Sequence, residues 1–341
     1  MEKMDRYGIL GLQLECPNAF CKADVQKNID HITECIQWGM EQQFHYAHPA
    51  KLVILPESSI HGFPFVDNEG FLQRRDMLAR IPGPETEYFA SLAKKYDCII
   101  CCGSWLEYDP EFPEQMFNTL VIVDETGVIL KYRKVQTWTP GEGSTSALTV
   151  AGYEPPTYFP VVDTPLGKLG GQICYDMWFP EVSRQLAFNG AEVIIRVSAY
   201  MYPWAGNAPL DQFTITSQAR AFENVCYTVN VNQSTKMENT QSYQYSGDSC
   251  LIDYEGRILY QTTCNQGDNF LFGTIDLAAL RDWRKKTIHH MGIGHIRTEA
   301  YTYLDKPLFP VRTVQPGELY TTEHSLSLNA EARKRIGWDK Y

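Results

Sequence analysis

The run Lys51-Leu52-Val53-Ile54-Leu55 constrains the fold more than any other stretch. Apolar after its first lysine and stopped at once by Pro56, it fits a short strand covered on both faces. Such a strand needs a layer on either side, and the flanking sequence can supply them. Tyr7 to Glu15 reads as a first buried strand. Ala23 to Gln43 carries Val25, Ile29, Ile32, Cys35, Ile36 and Met40 at helical spacing. Pro84 to Tyr96 reads as a helix with proline near its start, and Cys98 to Leu106 as a strand. Thr119 to Asp124 and Val128 to Arg133 form a hairpin across Glu125-Thr126-Gly127.

The second half repeats this alternation. Strands at Thr157 to Pro165 and Leu166 to Ile173 lead into a helix over Glu181 to Asn189. Then come a strand (Ala191 to Val197), a helix (Asp211 to Asn224), a strand (Val225 to Val231) and a hairpin (Ser249 to Tyr254 with Arg257 to Thr262). Leu271 to Ile275 and Leu277 to Lys285 close it as strand and helix. Strands that alternate with helices and also pair as hairpins imply a layered α/β fold with mixed sheets. Residues 1–285 carry no internal boundary and count as one domain. Residues 286–341 lose periodicity and are expected to be an irregular extension, packed on the domain or on a neighbouring subunit.

Charge and cysteine usage narrow the function classes. The formal net charge is −11 with no run of Lys or Arg, which argues against nucleic acid and anionic membranes as partners. No apolar run is long enough for a membrane span, and the first residues carry no export-signal pattern. A cytoplasmic location with reduced thiols is therefore expected, rather than a disulfide scaffold. Cys98 and Cys101 form a C-x-x-C, but within an apolar strand pattern that reads as core. His289, His290 and His295 lack a supporting carboxylate motif, so no metal site is expected from them.

Three strand ends carry reactive groups: Glu57 after Leu55-Pro56, Lys134 after Tyr132-Arg133, and Cys174 after Ile173. Ligands of α/β sheets bind beyond the carboxyl ends of strands, so the three together mark a candidate site. Cys174 stands between a strand and the start of a helix, where free backbone N–H groups would lower its pKa and could hold an oxyanion. A thiol, a carboxylate base and an ammonium suffice for acyl transfer through a thioester, with no metal or organic cofactor.

These residues and their settings resemble the Glu-Lys-Cys triad of the nitrilase, or carbon–nitrogen hydrolase, superfamily. The carrying motifs are LPESS at Glu57, KYRKVQTW at Lys134 and GGQICYDMWFPE at Cys174. Residues 81–87, 118–124, 191–203 and 247–260 resemble it too, so the likeness spans about residues 7 to 285. RVSAYMYP and Trp138, four residues after Lys134, resemble the aliphatic amidase and formamidase branch. The resemblance implies a four-layer αββα sandwich and homo-oligomers, dimers or larger. It also implies a second glutamate, Glu142, eight residues after Lys134, that supports the lysine and helps position the amide. Tyr175 would supply an oxyanion N–H, and Trp138, Trp178 and Tyr200 could wall the acyl pocket. His61 is read as a loop-bonding residue.

Departures from the branch leave the acyl group open. Ser58 stands where a tyrosine is common, Tyr175 and Trp178 replace small or acidic residues, and Cys174 follows Lys134 by 40 residues, a spacing nearer that of carbamoylases. The extra residues around Ala147 to Pro156 are expected to reshape the pocket mouth. The reading is an amidase that releases acid and ammonia from a small carboxamide. The alternatives are an N-carbamoyl amide hydrolase, with Arg196 or Arg184 for the substrate carboxylate, a hydrazide or nitrile hydrolase, and a catalytically silent scaffold.

Overall fold

A computed structural model describes residues 1–42, 47–63, 68–138, 141–201, 211–235, 245–263, 267–287, 291–306 and 308–338. Its strands are β1 (Arg6–Gln13), β2 (Ala50–Ile54), β3 (Ile99–Tyr108), β4 (Met116–Asp124), β5 (Gly127–Arg133), β6 (Val161–Thr164), β7 (Gly167–Ile173), β8 (Val193–Ser198), β9 (Tyr227–Asn232), β10 (Cys250–Ile252), β11 (Ile258–Gln261) and β12 (Asn269–Asp276). Its helices are α1 (Lys22–Glu41), α2 (Asn68–Leu72), α3 (Pro84–Tyr96), α4 (Pro180–Phe188), α5 (Gln212–Asn224), α6 (Leu277–Lys286), α7 (Gly292–His295) and α8 (Thr322–Arg335).

The strands form two six-stranded sheets, in the orders β12-β1-β2-β3-β4-β5 and β11-β10-β9-β8-β7-β6. Each has a parallel centre, β1-β2-β3 in one and β7-β8-β9 in the other, with antiparallel flanks. The helical crossovers lie outside: α1 and α3 cover the first sheet, α4 and α5 the second. Period-two alternation divides each strand between two environments. Ile9, Leu52, Ile122, Ile195 and Val229 meet in the core between the sheets. Leu10, Leu12, Val53 and Ile100 face the other way, against Ile29, Ile36, Phe89 and Leu92 of α1 and α3. Leu186 of α4 packs on Ile194, and Phe213 of α5 on Cys250 and Ile252. The expected αββα sandwich with mixed sheets is the observed fold.

The same alternation disposes of the C-x-x-C. Cys101 lies in the inter-sheet core, whereas Cys98 and Cys102 face the helices. Residues three apart on a strand point to opposite faces, so Cys98 and Cys101 cannot converge on one ion. His289 and His290 lie outside the described residues. Among those described, His31, Cys35 and Asp268 have ligand-type atoms within 4.8 Å of one another, with His31 already paired to Asp268 at 3.0 Å. No helix among the described residues is long and apolar enough to cross a membrane.

The C-terminal residues differ from expectation. Residues 286–341 contain a 14-residue helix, α8, capped by Thr321, whose hydroxyl accepts from the His324 N–H at 3.1 Å. Its sequence hides it because mostly polar residues surround a single well-buried leucine, Leu328. Val314, Tyr320 and Leu328 make a small cluster of their own. Val314 exchanges backbone bonds with Thr149 and Ala151, and the Gln115 and Asn68 amides donate to the Glu318 and Tyr320 carbonyls.

Candidate active site

Glu57, Lys134 and Cys174 each follow the carboxyl end of a strand, β2, β5 and β7 in turn. Stacking the two sheets brings these ends to one place. Glu57, Lys134, Glu142 and Cys174 line one cavity of about 230 Å³, with Trp138, Tyr175, Trp178 and Tyr200 among its other walls. Phe63, Ala199 and Met201 are the remaining lining residues among those described.

The charged groups form one hydrogen-bonded unit. Lys134 Nζ donates to Glu57 Oε1 at 2.9 Å and to Glu142 Oε2 at 2.8 Å. Two of its three N–H donors are thereby used, leaving one for a substrate oxygen. Asn118 Nδ2 bridges the carboxylates, donating to Glu57 Oε1 at 2.8 Å and to Glu142 Oε1 at 2.9 Å. Glu57 Oε2 accepts the Ala199 N–H at 2.7 Å. Glu142 accepts the Trp138 N–H at 2.9 Å and the Ser144 hydroxyl at 2.5 Å. Gly141 lets the indole lie down on this loop, since a Cβ there would stand 2.2 Å from the Trp138 ring.

Burial opposes the charge of Lys134, but Glu142 and Glu57 outweigh it and hold the ammonium pKa well above its ordinary value. Burial likewise works against Glu142, whose pKa is nevertheless lowered, chiefly by Lys134. Cys174 departs from the sequence expectation. Its thiol pKa is raised well above the ordinary range, first by burial and then by the charge of Glu57, while Lys134 and Arg196 pull the other way. The helix-end effect foreseen for it is weak for a structural reason. Cys174–Trp178 is a short 3-10 turn, and α4 starts only at Pro180. Burial and Glu57 thus favour the protonated form of this thiol.

Asp176 fixes the distance between lysine and cysteine. Its carboxylate accepts the Tyr132 hydroxyl at 2.8 Å, the Ile173 N–H at 2.9 Å and the Gln136 N–H at 3.0 Å, tying the end of β5 to the end of β7. Burial pushes its pKa up to about 6. Neither Asp176 nor Asn118 stands out by spacing or charge pattern. Asn118 opens the NTLVIVD run, and Asp176 stands two residues after the cysteine.

The aromatic wall is also held in place. Trp178 Nε1 donates to the Tyr200 hydroxyl at 3.0 Å, and the Tyr200 N–H donates to Asn232 Oδ1 at 2.7 Å. The Tyr175 ring sits 5.6 Å from that of Trp178. Tyr202 and Pro203, the end of RVSAYMYP, lie outside the described residues.

Other sequence readings resolve away from the cavity. His61 is fully buried between the Met77 carbonyl, 3.1 Å from its Nε2, and the Leu106 N–H, 3.2 Å from its Nδ1, as a loop-bonding residue. Ala147 to Pro156 contribute nothing to the cavity lining. Instead Val150 pairs with Val314, and the Tyr153 ring stacks over Arg133. Arg184 donates to the Glu223 carbonyl, and Arg196 lies beneath Cys174; neither lines the cavity.

Comparison with known proteins agrees with this architecture. Residues 12–285 match the model of the carbon-nitrogen hydrolase family. A formamidase of Bradyrhizobium sp. (strain ORS 278) is 30% identical over 290 residues, covering 83% of this chain and 77% of its own length. Nit3 of Saccharomyces cerevisiae, a nitrilase-superfamily member, superposes with a TM-score of 0.67 at 24% identity, over 85% of this chain and 98% of its own. A Nesterenkonia sp. amidase bearing the acetamide moiety of fluoroacetamide on its active-site cysteine superposes with a TM-score of 0.65 at 20% identity, over 87% of this chain and 96% of its own. A match over most of the chain, joined to a sandwich whose strand ends deliver a glutamate, a lysine and a cysteine to one cavity, leads to one conclusion: this chain belongs to the carbon–nitrogen hydrolase family.

Proposed function

We propose that the chain is an amidase that hydrolyses a small, uncharged carboxamide to the acid and ammonia. The observation that carries this reading is the Glu57–Lys134–Glu142 unit beside Cys174, in a cavity whose remaining walls are mostly aromatic. Among the described lining residues the only cation is Lys134, and two carboxylates already hold it. A substrate bearing its own carboxylate would find no free positive group among them, which weighs against the N-carbamoyl amino acid alternative.

The steps follow from the charge states. Glu57 takes the thiol proton as Cys174 sulfur bonds to the amide carbon. The oxyanion is stabilised by the remaining Lys134 N–H and the Tyr175 backbone N–H. Glu57 returns the proton to the departing nitrogen, the C–N bond breaks, and ammonia leaves a thioester on Cys174. A water molecule then gives its proton to Glu57 and adds to the thioester carbon. The C–S bond breaks, the sulfur regains a proton, and the acid departs. Glu142 keeps Lys134 charged and oriented throughout.

Ammonia release from formamide, acetamide, propionamide, bulkier amides, carbamoyl amino acids and nitriles, with hydrazine release from hydrazides, tests the proposal. Turnover is expected to favour the shortest amides and to vanish in Cys174→Ala. Release from carbamoyl amino acids alone would instead support the carbamoyl alternative. No release from any compound, or full activity in C174A, would refute the proposed chemistry.

A further inference from the structure

Arg196 is a buried cation that the steps above leave unused. It lies on β8 between Gln172 of β7 and Asn230 of β9. Its neighbours Ile195 and Val197 fill the inter-sheet core, so strand alternation sends Arg196 to the opposite face, under α5. There its Nε donates to the Cys174 carbonyl at 3.2 Å, and its Nη1 to the Phe213 carbonyl and the Ser217 hydroxyl, also at 3.2 Å each. The guanidinium stands 4.3 Å from the Phe213 ring centre and 5.3 Å from that of Tyr200. Nη2 is buried with no hydrogen-bond partner among the described residues. Arg184 and Arg220 pair with Glu223, but Arg196 forms no ion pair among the described residues.

A buried cation without a counter-ion is strongly disfavoured unless something compensates it. Beyond these carbonyls and aromatic faces, the geometry offers a further compensation that arises during reaction. In a planar trans peptide the C=O and N–H point in opposite directions. With the Cys174 carbonyl held toward Arg196, the Tyr175 N–H is turned away from Arg196, and Cys174 and Tyr175 both line the cavity. Cys174 itself has φ = +46°, a left-handed conformation that a non-glycine residue keeps only when its surroundings hold it there. The bond from Arg196 is one such restraint.

We infer that Arg196 is a positioning residue that aims the Tyr175 N–H at the oxyanion through the Cys174 carbonyl, and whose charge offsets the negative charge that forms on the cysteine and its adduct. The inference rests on the acyl-transfer reading of this site. It replaces a role for Arg196 in gripping a substrate carboxylate.

Two assays on Arg196→Met and Arg196→Lys test it. The first follows alkylation of Cys174 by iodoacetamide against pH, with the labelled residue identified by mass spectrometry; it needs no substrate. The second measures kcat and KM for the best amide in the screen. R196M is expected to lose roughly 100-fold in kcat with little change in KM, as when a transition-state donor is disturbed. Its alkylation profile should move to higher pH. R196K keeps the charge but not the fork, so it should keep the alkylation profile and still lose kcat. An unmoved alkylation profile in R196M, or a raised KM with kcat intact, overturns the inference. If R196M fails to fold by circular dichroism, R196K decides, and wild-type kcat there overturns it. Should the wild type turn over no amide, the amidase reading falls, while the alkylation profiles still judge Arg196.

Discussion

His61 shows how a residue four positions from a catalytic candidate can be committed to structure. Both ring nitrogens are engaged by backbone groups, and burial lowers its pKa to about 4, opposed by its bond to Met77. A histidine whose folded pKa lies below its unfolded value stabilises the fold fully above about pH 6.5. That contribution is lost as pH falls toward 4, a loss of roughly 3 kcal/mol. Asp176 has the opposite sign: its raised pKa makes its contribution greatest below about 4 and smaller as pH rises through about 6. Urea unfolding of wild type and His61→Gln at several pH values isolates the histidine. The Gln variant is expected to lose less stability between pH 7 and pH 4, and equal losses would refute this account. Glu57, Lys134 and Cys174 stand out as candidates because each follows a strand end, and Glu142 only through the family resemblance. Asn118 and Asp176 do not, because a hydrogen-bond bridge between two buried groups leaves no period in the chain. The thiol pKa was misjudged because its sign depends on how deeply Cys174 is buried and how near Glu57 comes, and neither is a local property.

At the scale of elements, β3 carries a bulge that sets where Glu57 stands. Its pairing with β4 shifts between Cys101 and Ser104, and Gly103 sits there with φ = +74°. A Cβ at Gly103 would stand 1.9 Å from the Pro56 carbonyl oxygen, one residue before Glu57. Gly103→Ala therefore has two penalties, left-handed backbone strain and displacement of the β2 end, together on the order of 3 kcal/mol. Because small misplacements of a catalytic group are costly, kcat is expected to fall about 10- to 100-fold. Thermal unfolding and steady-state kinetics on the variant check both, and wild-type values in each would show that the bulge does not position Glu57. Most strands, and the longer helices that bury an apolar face, could be read from periodicity, since burial on one face or two writes itself into the chain. The short α2 and α7 were missed, and so were two features nearer the argument. The five-residue 3-10 turn at Cys174 is too short to show a period, and α8 buries only Ser325 and Leu328, too little to set an apolar stripe.

At the scale of the whole molecule, the C-terminal residues brace the loop that carries Glu142. Val314 bonds to the backbone of Thr149 and Ala151, Gln115 links the Glu318 carbonyl to the Thr145 hydroxyl, and the Thr145 N–H donates to Met116. A chain truncated after residue 306 is expected to stay folded but to melt earlier, by about 2–4 °C for each kcal/mol lost. Its kcat should fall as the Glu142 loop loosens. Calorimetry and kinetics on the truncated chain test this, and unchanged values would make the extension passive. By itself the sequence determined the layers, because apolar periodicity states which faces must be buried, and it determined the reactive groups, because strand ends in such a fold face ligands. The tertiary structure alone decided what those groups do to one another. Stacking the sheets buried Glu57, Lys134 and Glu142 as one unit, raised the thiol pKa instead of lowering it, and set Arg196 behind Cys174 rather than in the cavity. Charge interactions of this kind depend on distance and burial in three dimensions, which a linear chain does not record.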